Sequence, residues 1–194
     1  RDTSVLSEHG RRHIRKTVIH SFFRNGGWIR KLCHLVSVAY EMRKRGNLLL
    51  DKLLWRMLSD GGEYPKEEYD LAIAYLEGGA TYFTADHVKA KRKAAFVHID
   101  YENAGYTRRM DKDCYAKFDR IFAVSEEVRV SFLQAYPQWE QKTGVFHNII
   151  NRERILGLAE MPGGFSDSFA GIRLLTVGRL TYQKAYDVAI DAMK

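Results

Sequence analysis

Apolar residues recur through the first sixty positions at the spacing of helix faces. Ile14, Val18, Ile19, Phe22 and Phe23 fall on one side of a helix over residues 11–24. Asn25-Gly26-Gly27 interrupts that pattern. Trp28, Ile29, Leu32, Leu35, Val36 and Ala39 resume it, and Gly46 stands where a helix C-cap would. Asn47 is suited to cap a third helix with Leu49, Leu50, Leu53, Leu54 and Met57 on its apolar side. From Pro65 the texture changes. Short apolar runs over 71–76, 94–99, 120–124, 143–146 and 173–177 each end in polar residues or glycine. Helix-like stretches over 81–88, 106–118, 126–136, 152–158 and 183–193 separate or follow them. Ser125 reads as an N-cap, with Glu126 and Glu127 in the first turn where a helix dipole favours acids.

Near-continuous apolar strands alternating with helices predict a parallel sheet covered on both faces. That is an α/β, doubly wound architecture. In such sheets the ligand crevice lies beyond the C-terminal ends of the strands. The residues expected there are Glu77, His98, Asp100, Ser125, Asn148, Gly178 and Arg179. The stretch 161–170 contains Pro162, Gly163 and Gly164, lacks periodicity, and reads as an interdomain linker. It divides a domain over 1–160, with basic amphipathic helices in 1–60, from the first strand–helix unit of a second domain over 171–194.

Composition narrows the classes. Hydrophobic residues make up 45% and charged residues 28% of 194, which excludes a disordered chain. No apolar run approaches the ~18–20 residues of a membrane span, and no secretory signal is visible. Cys33 and Cys114 form no CxxC and read as reduced, structural thiols of a cytosolic protein. The chain opens on Arg1 and runs in a helical pattern to Lys194, so it reads as a fragment of a longer protein. The net charge of +7 is uneven. Residues 1–60 hold 13 Lys and Arg against five acids, a balance of +8. Such a segment attracts phosphate-bearing partners, among them an anionic membrane surface, or is simply a solvated helix face.

Several chemistries lack support. Asp111-Lys112-Asp113 spells a DxD metal–nucleotide motif but ends no apolar strand. His13, His20 and His34 have no carboxylate or Cys partner at ligand spacing. Ser125 lacks a GxSxG elbow, and neither GxGxxG nor a Walker A loop occurs. No nucleic-acid-binding motif is present. The segment Val177-Gly178-Arg179-Leu180, followed by Gln183-Lys184, is more informative. A glycine after a buried strand permits a tight turn and close ligand approach. The following helix N-terminus would offer N–H groups to an anion. Arg179 and Lys184 would add a bidentate fork and a point charge suited to a diphosphate. Spacing alone leaves this open against an ordinary loop with surface cations.

Residues 177–187 resemble the opening of the nucleotide-sugar domain of family 4 glycosyltransferases of the GT-B fold. That family's pattern is GRL, a short gap, then QKG-aromatic-Asp, with Ala185 here where glycine is usual. Four earlier blocks resemble the family in the same order: 69–78, 96–101 (similar to W-[IV]-H-x-D), 118–126 (similar to FD-x-I-x-x-VSE) and 145–151 (similar to V-x-x-NIID). Residues 1–68 carry no specific motif. The resemblance implies two Rossmann-like domains closing over a cleft, the N-terminal one holding the acceptor and the C-terminal one the donor. It implies that Arg179 and Lys184, with Gly178, bind the donor diphosphate and stabilise it as leaving group. It puts His98 beside the donor sugar, and Glu77, Asp100 and Asn148 on the acceptor side. It further implies a retaining, metal-independent hexosyltransferase without a cofactor, acting on a saccharide or lipid-linked acceptor in cell-surface glycan or glycolipid synthesis at the inner membrane face. The family's glycine-rich loop would precede Arg1 and its paired glutamates would follow Lys194. Two rival readings remain: a GT-B nucleotide-sugar epimerase, and a non-enzymatic basic module binding membrane or nucleic acid.

Overall fold

The computed structural model describes residues 8–24, 28–46, 50–101 and 103–193. The expected break at Asn25-Gly26-Gly27 and the Asn47 cap lie outside them. The chain divides into two compact units, residues 1–149 and 150–194. Each is described by itself.

The first unit opens with α1 (Glu8–Phe23), α2 (Trp28–Lys44) and α3 (Leu50–Gly61). Helices α1 and α3 meet closely at Gly61, where an added Cβ would lie 2.2 Å from the Thr17 carbonyl oxygen. Four parallel strands follow: β1 (Glu68–Ala74), β2 (Lys89–Val97), β3 (Arg120–Ala123) and β4 (Thr143–Val145), in the order β1-β2-β3-β4. Four of the five apolar runs thus form strands. Helix α4 (Gly79–His87) joins β1 to β2, and α6 (Glu126–Ala135) with a 3-10 turn over Pro137–Lys142 joins β3 to β4. The β2–β3 connection departs from the single helix expected over 106–118. It is a four-residue helix, α5 (Arg108–Asp111), then a 3-10 turn over Cys114–Lys117. Lys112 and Asp113 both take left-handed backbone angles, φ 46° and 55°, which end the helix.

The expectation of cover on both faces is corrected by the packing. Ala74, Ala95, Val97 and Ile121 point into one core with Tyr82 and Ala85 of α4, Met110, Cys114 and Tyr115 of the β2–β3 connection, and Phe132 of α6. Strands added in sequence order toward one edge, with crossovers of one hand, carry their connections on one side. On the other face Leu71 and Ile73 are 53% and 52% exposed, and a cavity of about 730 Å³ opens over Ile73, Phe96, Phe122 and Phe146.

The second unit contains α7 (Arg152–Ala159), a 3-10 turn over Tyr182–Lys184 and α8 (Tyr186–Asp191). The unit begins at Ile150, so α7 falls within it. The run 173–177 forms no strand, a second correction. A strand needs a neighbour to take its N–H and C=O groups, and among the described residues this unit has none. Leu175 and Val177 are 80% and 88% exposed.

Candidate functional site

Parallel pairing aligns the strand ends. Ala74 lies opposite Ala95, Val97 opposite Ala123, and Ala123 opposite Val145. The segments that follow the strands, around Glu77, His98, Ser125 and His147-Asn148, therefore leave the sheet along one edge. Glu77 is placed by the turn after it. Gly78 has φ +78°, and a Cβ there would meet Trp55 Cε3 at 2.1 Å and the Tyr106 hydroxyl at 3.0 Å. Only glycine fits this packing of α3 against the β1–α4 turn.

Glu77 and His98 are brought together. The His98 backbone N–H donates to Glu77 Oε2 at 3.0 Å, and His98 Nδ1 lies 3.8 Å from the same oxygen. Glu77 keeps only 9% of its side chain exposed. His98 Nδ1 is buried with no hydrogen-bond partner, and the side chain as a whole is 18% exposed. The imidazole caps an aromatic row on the open sheet face, with Tyr75 edge-on at 5.1 Å and Phe96 at 6.1 Å. Glu77 therefore fixes the His98 backbone at the strand end, and this sets where the partly exposed imidazole lies.

The other edge residues divide. Asp100 ties its own loop: Ser131 Oγ donates to Oδ1 at 2.8 Å and Asn103 Nδ2 to Oδ2 at 2.7 Å. Ser125 is the α6 cap its sequence suggests, its hydroxyl accepting from the Val128 N–H at 3.3 Å. His147 Nδ1 lies 3.2 Å from the Val124 carbonyl oxygen, and Asn148 stands exposed.

In the second unit, Gly178 and Lys184 share one small fold. A Cβ on Gly178 would meet the Tyr186 hydroxyl at 2.7 Å and the Lys184 aliphatic stem at 3.8 Å. The Thr181 N–H bonds the Arg179 carbonyl at 2.9 Å, and the Lys184 N–H bonds the Thr181 carbonyl at 2.9 Å. Arg179 and Lys184 are exposed and make no ion pair among the described residues. Lys184 ends a 3-10 turn, and α8 has six residues, so the helix N-terminal anion site expected here is not built. Ala185, where the family pattern has glycine, takes φ 49° and ψ 40°.

One buried cluster escaped the sequence reading. Asp111 is 1% exposed and accepts hydrogen bonds from Tyr82 at 2.7 Å and Tyr136 at 2.6 Å. Burial pushes its carboxyl up to about 6, against the pull of the two hydroxyls and Arg56. Arg56 donates to the Asp111 and Met110 carbonyls and pairs with Asp86 at 2.5 Å. Burial and Asp111 together raise both tyrosines well above their ordinary value. This cluster is turned into the core. Comparison with family models, curated proteins and solved structures finds no match to this chain.

Proposed function

We propose that this chain is part of a retaining, metal-independent glycosyltransferase that moves a hexose from a nucleotide-sugar to an acceptor hydroxyl. The observation that carries the reading is the Lys184 stem lying beside Gly178 on the same short turn as Arg179, with neither cation in an ion pair among the described residues. The GRL…QK resemblance supports the same assignment. A diphosphate leaving group gains negative charge as the glycosidic bond breaks, so cations held there act more strongly on the transition state than on the ground state. Arg179 would grip two phosphate oxygens and Lys184 would add a point charge. His98, its backbone N–H bonded to Glu77, would offer its imidazole to a sugar hydroxyl. The acceptor would be a saccharide or lipid-linked saccharide, met in the cytoplasm during cell-surface glycan or glycolipid synthesis.

The test is steady-state kinetics on the full-length protein that carries this chain, supplied with nucleotide-sugars and glycan acceptors. Arg179→Ala and Lys184→Ala should each lower kcat by ~10²–10³, with little effect on acceptor KM. The double variant should lose less than the product of the two, because both cations act on one diphosphate. Near-parental kcat in both single variants, with circular dichroism unchanged, would overturn the assignment. Conversion of nucleotide-sugar without any acceptor would replace the transferase with an epimerase.

A further inference from the structure

We infer that the outer face of α2 docks on an anionic membrane surface. Helix α2 is apolar on two sides, where a surface helix has one apolar stripe turned to the core. Val38 and Met42 point inward at 2% and 1% exposure, yet Trp28, Ile29, Leu32, Val36 and Tyr40 lie 46–69% exposed on the opposite side. Two exposed cations accompany them at the end of the helix, Arg43 and Lys44. The helix's one acid, Glu41, is half-buried and pairs with Arg45 at 3.1 Å. Lys31 Nζ donates to the Ser21 and Arg24 carbonyls, which fixes the start of α2 beside the end of α1. There Phe23 is 75% exposed.

A helix lying in the headgroup plane has this form: an apolar stripe, aromatic rings toward its ends, and cations along its margins. No described helix is long and apolar enough to cross a membrane, so the mode would be surface docking. The charge placement also selects among occupants. Arg43 and Lys44 stand at one end of the stripe and the helix's one acid is already paired, so a second copy packed face to face would offer these cations no counter-charge, whereas anionic headgroups would. The inference does not rest on the transferase reading, since vesicle binding is measured without any sugar substrate.

The test is co-sedimentation of the full chain with phosphatidylcholine vesicles, with and without phosphatidylglycerol. Binding should require the anionic lipid and weaken steeply with salt. Each of Arg43→Gln and Lys44→Gln should lower the partition coefficient about five-fold, and Leu32→Gln about tenfold, with helical circular dichroism retained. As a check needing no change of sequence at the face, maleimide labelling of Cys33, exposed on α2, should be slowed by anionic vesicles and not by neutral ones. Equal binding to both vesicles, or variants that bind as the parent does, would overturn the inference. So would a dimer in light scattering that Leu32→Gln converts to monomer, with no vesicle binding by either protein.

Discussion

Asp111→Asn isolates a pH dependence stored in the core. The carboxyl is buried against Tyr82 of α4 and Tyr136 at the end of α6, where burial carries it from 3.8 to about 6. An acid whose folded value lies above its unfolded value contributes its full stabilisation below the unfolded one and loses it as pH rises through the folded one. Below pH 3.8 the group is neutral in both states. Between 3.8 and about 6 the unfolded chain ionises first, and above that the folded protein carries a buried carboxylate. At ~1.36 kcal/mol per pH unit, the loss is about 3 kcal/mol, present in full at neutral pH. Asp86 acts with the opposite sign. Its burial is outweighed by Lys117 and Arg56, its carboxyl is held below the ordinary range, and its contribution disappears as pH falls. The raw profile of the protein is therefore a sum, and the difference between parent and variant is the informative quantity. Asparagine keeps the shape of the site: its oxygen accepts from one tyrosine and its amide donates to the other. Urea unfolding of both proteins from pH 4 to pH 7 should show Asp111→Asn gaining about 2 kcal/mol on the parent across that range. A difference that stays flat would refute the argument, and one that moves in favour of the parent would mean that the two tyrosine bonds outweigh burial.

Gly78→Ala should lower the stability of the first unit by about 1–3 kcal/mol. The new methyl would strike the Trp55 ring at a position already at φ +78°, and a melting temperature equal to the parent's would show that the β1–α4 turn can shift freely. Ala185→Gly should strengthen the start of α8, because relief of a left-handed alanine, ~1–2 kcal/mol, exceeds the added chain entropy of ~0.5–1 kcal/mol. The readout is hydrogen exchange at the Ala189 N–H, which bonds the Ala185 carbonyl at 3.1 Å: protection should rise a few-fold, and unchanged exchange would mean that this bond is not limited by residue 185.

The strands of the first unit were legible because their signal is local. A buried parallel strand needs an apolar run, and the runs around Ile73, Phe96, Phe122 and Val145 became β1 to β4 in the order in which they occur. The run around Leu175 carries the same signal and forms no strand, because pairing is a property of two segments and composition describes one. The open sheet face was hidden for a related reason. Ala72 and Ala74 alternate with Leu71 and Ile73, a period-two pattern that is apolar on both sides. Sequence shows that neither side is polar and says nothing about which one finds a helix. Strand order decides that.

Asp111 shows how backbone geometry overrides spelling. Asp111-Lys112-Asp113 reads as two carboxylates one residue apart, a pattern that would suit a cation if both side chains pointed outward. The Thr107 hydroxyl accepts the Met110 N–H at 3.1 Å and starts a helix that turns Asp111 inward. Lys112 and Asp113 then leave that helix in left-handed conformations, so the two acids part company within two residues. The partners of Asp111 are Tyr82 on α4 and Tyr136 at the end of α6, 29 and 25 residues away in sequence. No periodicity window joins such distances. The Thr107 cap could have been recognised from its residue type, and it alone would have argued for a break in 106–118. Glu77 and His98 were placed at one sheet edge by a different route. The rule that ligands gather at the C-terminal ends of parallel strands needs only the strands, and once their ends were placed, register aligned the two residues. A position at the end of a parallel strand can be read from local pattern, whereas a buried polar network is decided by which helices meet, and that information is spread over the whole domain.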